Sequence, residues 1–372
     1  MHIGILAAKL TANSGWEHYS QVLVESLAKA GHEVTVLVPH NMELSDDELD
    51  YTLVPILPDV TPTEPRFLFR LLDALPSARM MLLECDVIHC AVEMYAPLAA
   101  RLAGHRPLVM TVHGSYARYP QQRRWPVSLI YKRAYRRAVM ACVSHYTEQI
   151  VQQVLPGAQT QVIANAVNVE RFANLPPLAE PKRGPTVITA GGVKRRKGTL
   201  QLVQAMATVR EAIPDVQCIV LGTTSAEPNY VAQVEDEIER LNLQDTVHLL
   251  GFVPEETLLG WYRAADVFVL PSMNDGWKFE GFGLVHLEAS AAGLPVIGTD
   301  NSGVVDAIDD GVTGLIVSQA NVADELSSAI IRVLSQPDLT QQMSAAGRQK
   351  AQAATWDHVA EQLVTLYESL LD

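Results

Sequence analysis

The segment Pro271-Ser-Met-Asn-Asp-Gly-Trp-Lys-Phe-Glu-Gly-Phe-Gly-Leu-Val-His-Leu-Glu-Ala-Ser-Ala-Ala-Gly-Leu-Pro295 follows an apolar run that ends at Leu270. A glycine-bearing loop comes first. A helical stretch then opens near Gly283 and leads to a second apolar run after Pro295. Strand, loop and helix in that order are the unit of a parallel α/β sheet, whose ligands sit beyond the carboxyl ends of the strands. Glycines expose backbone N–H groups, and a helix N-terminus favours an anion such as a phosphate. Glu280 at the helix mouth and Glu288 over one turn further in cannot favour a phosphate. Carboxylates do accept hydrogen bonds from sugar hydroxyls. Phosphate donors flanked by two carboxylates suggest a sugar nucleotide. A tight turn with one exposed and one capping glutamate would read the same, and these residues alone leave both open.

The alternation extends in both directions. Residues 186–190, 216–221, 247–250, 267–270 and 295–298 read as buried strands, with helices over 200–213 and 231–241 between them. An earlier set of strands falls at 3–8, 33–38, 86–90 and 107–112, with helices over 19–30 and 97–103. Between the sets, residues 174–185 carry four prolines in twelve residues, which is linker composition. The expectation is an α/β chain of two Rossmann-like parallel-sheet domains. The first spans 1–173, a linker covers 174–183, and the second spans 184–355. A final helix over 356–372 is assigned back to the first domain.

The length of 372 residues suits two such domains. A net charge of −14 argues against a nucleic-acid partner. That figure hides an asymmetry. Residues 94–147 contain nine Arg and Lys and no Asp or Glu, so this window is +9 and the remainder is −23. Cys85, Cys90, Cys142 and Cys218 show no CxxC spacing, so neither a disulfide framework nor a structural zinc site is expected, and a reducing cytoplasm fits. The first apolar run stops at Lys9 and reads as a strand rather than a signal peptide. No apolar run reaches the length of a membrane span, so any membrane contact is expected to be peripheral.

Three more strand-to-helix loops could carry chemistry. Gly191-Gly-Val-Lys-Arg-Arg-Lys-Gly198 holds four consecutive cations between glycines. Such a run can clamp a diphosphate, although a solvated basic turn is the commoner fate. Asn13-Ser-Gly-Trp-Glu17 places Gly15 where backbone could approach a ligand. Thr111-Val-His-Gly-Ser115 ends a strand on His113, which could bond a substrate or serve as acid or base. No GxSxG elbow, HExxH or dinucleotide fingerprint occurs.

On these residues the chain resembles the retaining glycosyltransferases of family 4, which have the GT-B fold. The likeness rests on Glu280-Gly-Phe-Gly with Glu288 eight residues on, and on Leu287-Glu-Ala-Ser-Ala-Ala-Gly-Leu-Pro-Val-Ile-Gly298. It also rests on Asp309-Asp-Gly-Val-Thr-Gly-Leu-Ile-Val317, Gly31-His-Glu-Val-Thr-Val36, Asp266-Val-Phe-Val-Leu-Pro-Ser272 and Arg196-Lys-Gly198. The resemblance implies two domains facing each other across a cleft. The C-terminal one would bind a nucleotide-sugar donor and the N-terminal one a glycan or lipid-linked acceptor. It implies that Glu288 holds the ribose and Glu280 the transferred sugar, with Gly281, Phe282 and Gly283 lining sugar and phosphates. Lys197 would contact the diphosphate, His113 the donor sugar, and Gly15 the phosphates and acceptor. The chain departs from the family at Ser14, at Gly192 and at Asn165-Ala-Val-Asn168. Gly192 stands where a phosphate-binding arginine is usual, which leaves Arg195 or Arg196 to replace it.

The implied reaction is hexosyl transfer from a UDP- or GDP-sugar to an acceptor hydroxyl, with retention and with neither metal nor cofactor. A sugar-nucleotide 2-epimerase and a non-catalytic sugar-nucleotide-binding subunit are the alternatives. In the basic window, Lys132 with Arg136 and Arg133 with Arg137 share a face of a helix from about Val127. Together with Arg123 and Arg124 they are expected to meet an anionic lipid surface or a phosphate-bearing acceptor. The expected location is the cytoplasm, at the inner face of the membrane.

Overall fold

The computed structural model describes the whole chain except residues 12–14, 44–47, 61–66 and 180. The chain forms two compact units. One comprises Met1–Asn165 with Trp356–Asp372, and the other Ala166–Thr355.

The first unit is built on seven parallel strands: β1 (His2–Leu6), β2 (Glu33–Pro39), β3 (Thr52–Leu57), β4 (Val87–Cys90), β5 (Leu108–Val112), β6 (Val139–Cys142) and β7 (Thr160–Val162). Their order is β3-β2-β1-β4-β5-β6-β7. The β-branched and aliphatic residues of β1, β2, β4 and β5 are buried almost throughout, because helices cover both faces. Strands β3, β6 and β7 escape a sequence reading. β3 is an edge strand with Pro55 inside it, as edges tolerate. β6 and β7 have four and three residues, no fewer than β4 (Val87–Cys90) and the later strand Val267–Val269, and their length alone does not hide them.

The second unit has six parallel strands: β8 (Thr186–Ala190), β9 (Gln217–Leu221), β10 (Val247–Gly251), β11 (Val267–Val269), β12 (Val296–Thr299) and β13 (Gly314–Val317). Their order is β10-β9-β8-β11-β12-β13. In each sheet the order in which strands are added therefore reverses once, between β1 and β4 in the first and between β8 and β11 in the second. Connections on either side of such a point diverge and leave a crevice at the carboxyl ends of the strands. The loops after β8 and β11 are the basic run and the Glu280 segment, so this strand order makes them neighbours.

The helix Trp356–Leu371 belongs to the first unit. Trp356, Val359, Ala360, Leu363, Leu366 and Tyr367 form its buried stripe at helical spacing. Lys29 pairs with Asp357 at 2.9 Å on the outside. Inside, the Tyr367 hydroxyl meets His89 Nδ1. His89 Nε2 meets the Thr111 hydroxyl at 2.8 Å, and Thr111 meets the Tyr19 hydroxyl at 2.9 Å. The return helix is thus tied to the strands by a buried polar chain.

The boundary between units lies earlier than the proline-rich segment. Residues 166–173 join the second unit because Phe172 buries its ring edge-on against Tyr262 at 5.6 Å and Arg171 pairs with Glu255 at 2.8 Å. Proline-rich composition does not mark the point where packing changes hands. We predict that Leu363→Ala, at a fully buried position, destabilises the protein by about 2–4 kcal/mol. Asp357→Ala, which removes an exposed ion pair, should cost far less. Chemical unfolding curves of the two variants check this, and equal losses would contradict the packing described.

Candidate functional site

Glu280 lies at the centre of a charged cluster in the second unit. Its Oε2 accepts from Lys197 Nζ at 2.6 Å, from Arg196 Nη1 at 2.6 Å and from the Ser272 hydroxyl at 3.3 Å. Burial alone would raise this carboxyl, but the two cations outweigh it and hold Glu280 well below the usual carboxylate range. Lys197 is lowered by burial, with Glu280 opposing that shift.

The backbone fixes this geometry. Lys197 ends the short helical turn Arg195–Lys197, and Gly198 follows with φ +68°. A Cβ at Gly198 would lie 1.9 Å from the Pro271 carbonyl oxygen, so only glycine lets the loop after β8 touch the loop after β11. The Met273 N–H bonds the Arg196 carbonyl at 2.8 Å and completes the junction. On the far side, Gly303 N–H bonds the Glu280 carbonyl at 2.8 Å. Gly283, at φ +79°, starts the helix Leu284–Ala292. The first N–H groups of a helix lack intrahelical acceptors and carry its positive dipole end. Phe282 is buried and anchors the turn.

Glu288 sits inside that helix, with Arg171 Nη1 at 3.5 Å from its carboxylate and Tyr262 beside it. Burial raises its carboxyl, against the pull of Arg171. Neither Arg171 nor Tyr262 stands out in the sequence, since each is an isolated residue on a distant segment. His286, on the same helix, is fully buried, and burial lowers it to about 4. Its Nδ1 faces the Gly283 carbonyl at 3.0 Å, so it braces the turn.

Of the basic run, only Arg196 and Lys197 reach Glu280. Arg195 turns the other way, with its guanidinium 5.1 Å from the Tyr230 ring centroid and bonded to Gln233 at 3.0 Å. Arg196, not Arg195, is therefore the arginine that shares Glu280 with Lys197.

In the first unit, His113 follows β5. Its Nε2 lies 2.8 Å from the Ala91 carbonyl, its backbone N–H donates to Glu93 at 2.7 Å, and its ring stands edge-on to Tyr19. Burial lowers it to about 4, so it is neutral at pH 7. A carbonyl can only accept, which puts the proton on Nε2 and leaves Nδ1 as a lone-pair acceptor. Gly15 opens the helix Gly15–Lys29, and a Cβ there would meet nothing. Asn13 and Ser14 lie outside the described residues.

The basic helix is Val127–Arg137. Tyr131, Ala134 and Tyr135 are core residues, not part of its outer face. Arg137 spends its guanidinium on the carbonyls of Gly104 at 2.9 Å and Arg106 at 2.6 Å, and Arg123 stacks over Tyr119 at 4.5 Å. Arg124, Arg133 and Arg136 are exposed, Lys132 is half-buried, and Trp125 is 80% exposed.

Residues 170–350 match the family model described as Glycosyl transferases group 1, and residues 13–171 match that of Glycosyltransferase Family 4. Among curated relatives, a GDP-mannose-dependent alpha-(1-6)-phosphatidylinositol monomannoside mannosyltransferase of Mycolicibacterium smegmatis is 29% identical, over 68% of this chain and 69% of its own. A D-inositol 3-phosphate glycosyltransferase of Corynebacterium jeikeium is 31% identical, over 60% of this chain and 56% of its own. Among solved structures, a sucrose-phosphate synthase of Thermosynechococcus elongatus superposes with a TM-score of 0.81 at 24% identity, over 99% of this chain and 98% of that one. That likeness establishes the two-unit parallel-sheet architecture.

The cluster makes a prediction of its own. Glu280 should stay ionised well below the reference value of 4.5, and Lys197→Ala should bring its protonation back toward that value. A lowered carboxyl contributes stability above its unfolded pKa and loses it as pH falls through the folded one, so the variant should unfold at higher pH in acid. Carboxyl-carbon NMR titration checks the first point, and an unchanged Glu280 curve in the variant would contradict the assignment.

Proposed function

This chain is a glycosyltransferase of family 4, and from that premise we propose that it moves a hexosyl unit from a nucleoside-diphosphate sugar to an acceptor hydroxyl with retention at the anomeric carbon. The observation that carries the reading is the Glu280 carboxylate held by Lys197 and Arg196 beside the start of the helix Leu284–Ala292. In this reading the donor's diphosphate takes over Lys197, Arg196 and the helix N-terminal N–H groups. Those groups stabilise the charge that develops as the glycosidic bond breaks. Glu280 then accepts hydrogen bonds from hydroxyls of the transferred sugar, and Glu288 from the ribose. The two cations and the helix end supply the positive charge that a divalent metal would bring, so the reaction is proposed to need none. The leaving phosphate takes the acceptor proton, so no protein base is assigned. His113 contributes a lone pair at Nδ1 and so accepts from a sugar hydroxyl rather than acting as an acid.

The acceptor is proposed to be lipid-linked or phosphate-bearing. The relatives' names include a phosphatidylinositol mannoside and an inositol phosphate. Chemistry on the first unit supports the same class. Arg124, Arg133 and Arg136 are exposed beside Trp125 and Leu129. A groove lined by Leu68, Leu71, Leu72, Pro97, Leu98 and Arg101 also includes Ile130 of the same basic helix, and Phe69 is exposed. Cations next to exposed apolar side chains suit the headgroup region of an anionic leaflet. Among the described residues no helix is long and apolar enough to cross a membrane, so contact would be at the surface.

Two experiments test these readings. Lys197→Ala and Glu288→Ala should each reduce turnover of UDP- or GDP-sugars by roughly a hundredfold or more, and undiminished turnover in both would remove the site assignment. Native protein should sediment with phosphatidylglycerol vesicles at low salt and be released at high salt. Equal partition onto neutral and anionic vesicles would reject the membrane face.

A further inference from the structure

Glu93 takes no part in the reading above. It follows β4 in the short turn Glu93–Tyr95 and is fully buried. Its Oε1 accepts the backbone N–H of His113, which follows β5, at 2.7 Å. The indole N–H of Trp16, which follows β1, also bonds the carboxyl, as does the backbone N–H of Glu93 itself. Oε2 has no hydrogen-bond partner. Strands β1, β4 and β5 are adjacent in the sheet. One carboxyl therefore joins the start of the helix after β1 to the segments that follow β4 and β5. Ring contacts extend the junction: Trp16 lies 4.8 Å from Tyr116, and Tyr19 stands 4.6 Å from His113.

A buried carboxyl carries a desolvation cost unless a charge or several donors meet it. Here the compensation is N–H groups alone. The ionisable groups that share a charge interaction with Glu93 are Tyr19, Cys90, Tyr116, Tyr135 and Cys142, all raised by burial. With His113, they are neutral at pH 7. A glutamine could make the same bonds to His113 and Trp16 without that cost. The carboxyl is thus more than a spacer between loops.

We propose that Glu93 is a positioning residue that clamps the Gly15–Trp16 start of the first helix to His113, so that one side chain sets both groups. What the clamp serves rests on the proposed function, in which Gly15 and His113 face substrate. The clamp itself is independent of it. Burial pushes the Glu93 carboxyl up to about 7, so its charge changes near neutrality. Bonds to a carboxylate are stronger than bonds to its acid, and the clamp tightens as pH rises through that value. Overall stability moves the other way. The folded carboxyl holds its proton more tightly than an unfolded one at 4.5, so stability falls as pH rises from 4.5 to about 7.

The test uses the full chain and no substrate. The Trp16 indole signal, assigned by its loss in Trp16→Phe, and the His113 backbone amide are followed by nitrogen-resolved NMR across the neutral range. The clamp predicts that both shift with one shared midpoint near 7 and that both cease to titrate in Glu93→Gln. Signals that stay flat in the native protein, that show separate midpoints, or that still titrate in Glu93→Gln would overturn it. The native titration alone decides if the variant does not fold. Donor turnover measured on the same sample separates the two ideas. Flat signals with normal turnover remove the clamp only, and a shared midpoint without turnover removes the proposed function only.

Discussion

One oxygen of Glu280 accepts from both Lys197 and Arg196 at 2.6 Å, and the proposed chemistry of the second unit depends on that arrangement. A carboxylate, an ammonium and a guanidinium are each costly to bury alone. Together they offset one another, and removing any member leaves the others uncompensated. The same mutual dependence makes the cluster suited to exchange. A ligand that brings phosphate for the cations and hydroxyls for the carboxylate can satisfy every member again.

The cluster exists because of strand order. Lys197 and Glu280 are 83 residues apart, yet β8 and β11 are neighbours and their loops diverge from one point. Gly198 then allows a backbone contact that no side chain would permit. The first unit repeats the scheme between β1 and β4, with different contents at the carboxyl ends. His113, Glu93, Tyr19 and Trp16 form a junction of neutral and N–H-donating groups with little formal charge. In the proposed transfer, the cations of the second unit serve the diphosphate, and the neutral junction of the first serves hydroxyls.

Much of this was legible in the sequence, and several of the failures have identifiable causes. Apolar runs such as Val187–Ala190 and Ile3–Leu6 reveal buried parallel strands because nothing charged interrupts them. β3 is masked by Pro55, whereas β6, β7 and β13 escape the reading although β4 and β11, equally short, are legible. The Glu280 segment and the basic run each read as part of a donor site, but the ion pairs between them carry no sequence signal. Nor does the sequence separate Arg196 from Arg195, because consecutive residues in a tight turn point in different directions. Arg171, Tyr262 and Glu93 gave no signal, since isolated residues acquire a role only when the fold brings a partner to them. The basic window was visible as charge, but Arg137 and Arg123 turn out to bind the protein's own carbonyls and a tyrosine ring. A count of cations cannot distinguish a surface charge from an internal brace.

The most direct test of the account is a crystal structure of the chain with UDP or GDP bound. The account predicts diphosphate oxygens within hydrogen-bond distance of Lys197 Nζ, Arg196 and the N–H groups that open the helix Leu284–Ala292, with the ribose hydroxyls on Glu288. A nucleotide bound elsewhere on the second unit, with Lys197 and Arg196 still both engaged by Glu280, would contradict it.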